Sequence, residues 1–341
     1  MENKNNFSQN YIIERFKKGE ISIVEAFNAL TSKTDNNENK YPKEKSIMIE
    51  RFTEETLVEN RSEINKEEKL DNLLKEMDSL IGLESIKETI KEYIAFIKVQ
   101  DLRKNYSLKT SPLVMHMIFK GNPGTGKTTM ARIIARVFKE IGFLNEGDII
   151  EAERADLVGE YIGHTAQKTR KLIQKALGGV LFVDEAYSLA RGGEKDFGKE
   201  SIDTMVKAME DHKDNLIIIL AGYRKEMDYF LKSNPGLTSR FAIQLDFPDY
   251  TIDELVKIAE LMYAEKEYIL DKTSKHYIYR ALTKIRNKEI INGNARTVRN
   301  LVEKSIRHHA RRIININNIS RNSLMYICRE DLLCGEELEN D

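Results

Sequence analysis

Residues 119–138 read FKGNPGTGKTTMARIIARVF, and within them Gly121, Gly126, Lys127 and Thr128 stand at the spacing of a phosphate-binding loop. Glycines at 124 and 126 leave room for backbone N–H groups to wrap phosphate oxygens. A helix starting near Lys127 aims its positive end at the same place. Lys127 is suited to neutralise charge on the outer phosphates, and the Thr128 hydroxyl to bind Mg²⁺. Asn122, Pro123, Thr125 and Thr129 complete the stretch expected to touch the nucleotide. A second element, GGVLFVDEAYSLA, sets Asp184 and Glu185 after four apolar residues. Asp184 is expected to hold Mg²⁺ through water. Glu185 is expected to polarise the attacking water, general-base work that speeds a reaction by about 10² to 10⁴. Together these residues describe hydrolysis of a nucleoside triphosphate with Mg²⁺.

Such groups need a sheet to hold them. LVMHMIFKG, GDIIEAERADLV, GGVLFVDEA, NLIIILAGY and AIQLDF each read as a strand, and most are separated by helical patterns. Strand alternating with helix predicts an α/β domain with a parallel sheet covered on both faces. After Pro248 the strands stop; TIDELVKIAELMYAEKEY, SKHYIYRALTKIRNKE and ARTVRNLVEKSIRHHARRI predict an appended helical lid domain. At the start, SQNYIIERFKKGEISIVEAFNALTSK reads as two short amphipathic helices around Gly19. The resulting division is an N-terminal helical hairpin over 1–35 and a polar linker over 36–70. A nucleotide-binding domain over 71–248, a lid over 249–333 and an acidic tail over 334–341 follow.

Composition narrows the class. The 341 residues carry a formal charge of −1, which gives no electrostatic case for a chain-wide nucleic-acid binder. Two cysteines, Cys328 and Cys334, exclude a disulfide framework and match no common metal knuckle. The start MENKNNFSQN lacks an apolar core, and LIIILAG is too short to span a membrane, so a cytoplasmic chain is expected. His308 and His309 point apart on a helix and read as surface residues.

In order along residues 72–332 stand LIGLESIK, GNPGTGKTTMARIIARVF, DLVGEYIGHTAQKT, VLFVDEAYSLARGGEKDFGKESIDTMVKAMED, IILAGYRKEM, NPGLTSRF and GNARTVRNLVE. This series resembles the AAA+ ATPases of the CbxX/CfxQ family, and within it most the stage V sporulation protein K group. The resemblance implies an AAA+ fold and further residue roles. NPGLTSRF makes Arg240 an arginine finger that reaches the γ-phosphate held by a neighbouring subunit. GNAR resembles the second sensor, so Arg296 would contact the nucleotide, with Arg299 as the alternative. Ile81, Gly82 and Leu83 resemble the segment beside adenine. One departure stands out: the first-sensor strand ends in Gly222 and Tyr223 instead of a Thr-Asn pair.

Tyr161-Ile162-Gly163 has the form of the pore loop of AAA+ threading motors, with Gly159 and Gly163 letting it swing. An aromatic ring offers broad apolar area with few rotors, suited to gripping extended polypeptide. ARGGEKDFGKE is either a second loop or a surface turn. The implied assembly is a homo-oligomer, a hexamer with the finger acting in trans, and the implied work is remodelling a protein threaded through the pore. A rubisco-activase-like remodeller of the same family is the alternative. The hairpin is expected to bind an adaptor or substrate, or to dock on its own ATPase domain. A nucleic-acid ATPase is the rival reading. Yet the basic charges of RTVRNLVEKSIRHHARR recur at helix spacing and include Arg296, which points to a solvated helix face and no nucleic-acid partner.

Overall fold

The computed structural model describes residue 15 and residues 66–332, except 112, 162, 192–196, 288–292 and 317. The hairpin, most of the linker and the acidic tail lie outside the described residues. Helix α1 runs over 66–79, so residues 66–70, read from sequence as linker, are helical. Next come α2 (Glu84–Asn105), β1 (Met117–Gly121), α3 (Lys127–Glu140), β2 (Ile149–Ala152), α4 (Arg154–Leu157), α5 (His164–Ala176) and β3 (Val180–Val183). A 3₁₀ turn (Ala186–Ala190) leads to α6 (Gly198–Asp211), β4 (Ile217–Gly222), α7 (Arg224–Ser233), α8 (Pro235–Thr238) and β5 (Ile243–Phe247).

The five strands pair in the order β2-β3-β4-β1-β5, all parallel. Alternation along each strand feeds two separate cores. Met117, Phe119, Phe182 and Ile219 point into one, with α2 and α3; Ile118, Leu181, Val183 and Leu220 point into the other, with α5, α6 and α7. Strands β3 and β4 are buried along their whole length, as central parallel strands covered on both faces must be. Edge strand β5 alternates instead, with Ile243, Leu245 and Phe247 inward and Gln244 and Asp246 outward. GDIIEAERADLV is shorter as a strand than its composition suggests. It is β2 and then α4, because Glu153 and Asp156 form a capping box that starts a helix.

A polar side chain ties β1 to β4. His116 is 1% exposed, and its Nδ1 accepts from the Ile218 N–H at 3.0 Å. That fixes the proton on Nε2, which faces the Met209 carbonyl at 3.4 Å.

The lid comprises α9 (Ile252–Ala264), β6 (Ile269–Leu270), α10 (Lys272–Asn287), α11 (Ala295–Ile313), α12 (Arg321–Met325), β7 (Tyr326–Ile327) and α13 (Arg329–Leu332). Thr251 caps α9, with Glu254 reaching back to the Thr251 N–H at 2.7 Å. The expectation that strands stop after Pro248 is corrected: β6 and β7 pair in parallel, Ile269 with Tyr326 and Leu270 with Ile327. Two residues are too few to show a periodic signal. The Asp331 carboxylate, 1% exposed, accepts two hydrogen bonds of 2.8 Å from Arg312. His309 is likewise not a surface residue. It is 3% exposed, with Nε2 at 2.9 Å from the Ser323 carbonyl, because it shares the inward stripe of α11 with Val302, Ser305 and Ile313.

Candidate active site

The phosphate loop leaves β1 at Gly121 and enters α3 at Lys127. Gly124 and Gly126 take φ of +72° and +93°, where a side chain is strained. A Cβ at Gly124 would also stand 2.2 Å from the Gly293 carbonyl and 2.9 Å from the Arg296 nitrogen, so the lid lies directly on the loop. Thr125 is fully buried; its hydroxyl donates to the Asn122 carbonyl at 2.8 Å and its own carbonyl accepts from the Tyr250 hydroxyl at 3.2 Å. That side chain shapes the loop from within. Thr128 is partly exposed, Thr129 exposed and Pro123 partly exposed.

Lys127 donates to the Gly121 carbonyl at 2.9 Å and the Asn122 carbonyl at 2.8 Å. Burial lowers its pKa, and the Arg296 charge lowers it further, while Asp184, Asp249 and Glu185 oppose the shift. Two cations and three carboxylates therefore act on one another at this loop. Asp184 directly follows β3 with its N–H on the Ala152 carbonyl, and its carboxylate accepts from the Glu185 N–H at 2.9 Å. Glu185 sits at φ +46°, a left-handed conformation that places an exposed carboxylate at the carboxyl end of the sheet. Such strain clusters at functional sites.

Gly222 has a structural explanation. A Cβ at Gly222 would stand 2.7 and 2.8 Å from Tyr187 ring carbons and 2.9 Å from the Met227 sulfur. The buried Tyr187 ring fills the space at this strand end, 6.0 Å from the Tyr223 ring. Burial and the nearby Glu185, to which it is hydrogen-bonded, push the Tyr187 hydroxyl up to about 12.

Gly82 and Leu83 take consecutive left-handed conformations, φ +65° and +64°, which turn α1 into α2. Leu83 is buried and its Cδ1 would lie 3.5 Å from a Cβ at Gly126; Tyr250 flanks both Gly82 and Gly126. The Ile81–Leu83 turn thus sits beside the phosphate loop. Arg296 is exposed at the start of α11, and Arg299 is exposed one turn on. Arg240 follows α8. Its Nη1 donates to the Gly236 carbonyl at 2.8 Å, its Nε donates to Glu210 at 3.2 Å, and Nη2 pairs with the same carboxylate. Tyr161 is 66% exposed, its ring edge-on to His164 at 5.5 Å. Ile162 lies outside the described residues. Gly163 has φ +81° and open space around it, whereas Gly159 is a packing glycine, since a Cβ there would meet His164 at 2.7 Å. Asp249, Tyr250 and Asn294 escaped the sequence reading. Their one signal is that PDY follows a strand and that Asn294 is the second residue of GNAR.

Fold and site define a phosphate-loop ATPase with a helical lid. Residues 117–249 match the family described as ATPase family associated with various cellular activities (AAA), and residues 251–340 match the AAA lid domain. The chain is 54% identical over 270 residues to stage V sporulation protein K of Bacillus subtilis (strain 168), covering 79% of this chain and 84% of that protein. It is 41% identical over 276 residues to the chloroplastic ribulose bisphosphate carboxylase/oxygenase activase of Cyanidioschyzon merolae, covering 79% of this chain and 92% of that one. The solved AAA domain of FIGL-1 in complex with ADP shares its fold, with a TM-score of 0.52 and 18% identity over 76% of this chain and 82% of that one. The chain belongs to the AAA+ ATPases, in the family of the CbxX and CfxQ proteins, and is an ATPase.

Proposed function

We propose that the chain is a ring motor that spends ATP on pulling or remodelling a protein, by a Tyr161 loop on the axis of a hexamer. The observation that carries this is Tyr161 itself: a tyrosine 66% exposed, two residues before a left-handed, unencumbered glycine, in the connection from α4 to α5. Gly121 to Thr129 bind the phosphates, Ile81 and Gly82 flank adenine, and Arg296 reads the nucleotide from the lid. The Thr128 hydroxyl and Asp184 carboxylate suit Mg²⁺. The charge of Asp184 acts on Lys127, and an oxygen pair plus phosphates is the donor set Mg²⁺ prefers. The bound cation would offset phosphate charge; Glu185 orients and deprotonates the attacking water, and Arg240 leaves Glu210 for the neighbour's γ-phosphate. Among the described residues no helix is long and apolar enough to cross a membrane.

The sporulation-type remodeller is supported by the likeness to stage V sporulation protein K; the likeness to a rubisco activase supports the alternative client within one mechanism. Glu185→Gln is expected to bind ATP and assemble while turnover falls by about 10² to 10⁴. Tyr161→Ala is expected to keep most ATPase activity and lose remodelling of the client trapped by the Glu185→Gln ring. Normal turnover in the first variant removes the base assignment; unchanged remodelling in the second removes the gripping role.

A further inference from the structure

Where β5 hands over to the lid, one carboxylate collects hydrogen bonds from two domains. The Asn122 side-chain amide, in the phosphate loop, donates to both Asp249 oxygens at 2.9 Å. The Asn294 amide, in the lid turn, donates to Asp249 Oδ1 at 2.7 Å and to the Pro123 carbonyl at 3.4 Å. The Asn294 carbonyl oxygen accepts from the Tyr250 N–H at 3.0 Å, and the Ala295 N–H donates to the Gly124 carbonyl at 3.1 Å. Asn294 is 1% exposed and held at φ +44°, ψ −126°, a region that glycine alone occupies without strain. The residue before it, Gly293, has no room for a side chain, since a Cβ there would stand 2.3 Å from the Thr297 hydroxyl. Asparagine at 294 is strained in backbone and fully engaged in side chain.

We propose that Asp249 and Asn294 form a clasp that transmits occupancy of the phosphate loop to the lid, with Asn294 acting as a positioning residue for ATP turnover. This rests on the reading that residues 121–128 hold the nucleotide phosphates. The route is continuous. Lys127 is bonded to the Asn122 carbonyl, and the side chain of that same Asn122 is bonded to Asp249. A phosphate that draws Lys127 away frees the Asn122 backbone, shifts its amide on Asp249, and alters the carboxylate that fixes Asn294 and the start of α11. The charge of Asp249 also acts on Lys127, so the two ends of the route sense each other.

The test uses the full chain with Mg·ATP and ADP. Asn294→Gly suits the backbone and deletes the clasp; strain relief opposes the loss of its side-chain hydrogen bonds, and thermal unfolding shows that the variant is folded before the kinetics are read. KM for ATP is expected to rise about tenfold with a smaller change in kcat, within the range of measured couplings between sites. The hydrogen-exchange protection that ADP confers on residues 295–313 should vanish. Asn122→Ala should give the same losses, and the double variant should be no worse than either single one, since both act through one contact. Asp249→Asn keeps the shape while giving up the charge, and decides the matter should Asn294→Gly fold poorly; about a threefold rise in KM is expected. Unchanged KM and lid protection in either folded variant, additive losses, or a wild-type lid whose exchange ignores ADP would each overturn the clasp. Lys127→Ala separates the two readings: wild-type ATP affinity in that variant removes the phosphate loop assignment itself, whereas failure of the clasp leaves it standing.

Discussion

At position 124 two separate reasons exclude a side chain. The backbone is left-handed, and the Gly293 carbonyl stands 2.2 Å from where a Cβ would be. Gly142 has a similar φ of +80° but nothing within 4 Å of its would-be Cβ. The pair separates backbone strain from steric exclusion. Gly124→Ala is expected to lift the lid turn off the loop and to weaken ATP binding by at least about tenfold, while Gly142→Ala costs about 1 kcal/mol of stability and leaves ATP binding intact. Nucleotide titration beside thermal unfolding reads both effects. Equal nucleotide affinity in the two variants would show that the close approach of lid and loop has no bearing on binding.

At the scale of one strand, the buried His116 makes the β1–β4 contact sensitive to acid. Burial lowers its pKa from 6.5 to about 4, against a weaker opposing pull from the Met209 carbonyl. Between those values the unfolded chain binds a proton that the folded chain refuses. Stability therefore falls as pH drops from about 6.5 towards 4 and is unaffected by this group above that window. The full shift corresponds to about 3 kcal/mol. His116→Gln can accept from Ile218 and donate to Met209 without titrating. Denaturant unfolding at pH 7 and pH 4.5 should show the variant losing about 2 kcal/mol less than the parent on acidification. Parallel losses would mean that other groups govern the acid limb. The elements themselves were largely legible in sequence. β3 and β4 are unbroken apolar runs, α3 follows its glycines, and α9 carries a capping box. β6 and β7 were not, because a two-residue pairing depends on a tertiary approach between the two ends of the lid.

Over the whole molecule, the proposed hydrolytic unit spans two copies. Arg240 rests on Glu210, a partly exposed pair worth at most about 1 kcal/mol, so its release to a neighbour's phosphate is inexpensive. Arg240→Ala keeps an intact phosphate loop, and Lys127→Ala keeps an intact finger. Each alone should be inactive; an equimolar mixture should recover about a quarter of the parent ATPase rate, since one interface in four joins a sound loop to a sound finger. A mixture as inactive as its parts would place the finger in its own protomer. Distance along the chain explains what escaped the sequence reading. Residues 121–128 act as neighbours and announce themselves by spacing. Asn122 and Asn294 meet Asp249 across 127 and 45 residues, and Tyr250 meets Thr125 across 125. Only folding brings those partners together.

The tyrosine at 187 and the glycine at 222 occupy one volume between them. In this chain a side chain at position 222 would have to displace the aromatic ring and the Met227 sulfur. Descent within the family should therefore have exchanged the two positions together, so that any lineage bearing the polar strand end has something smaller than tyrosine after its acidic pair.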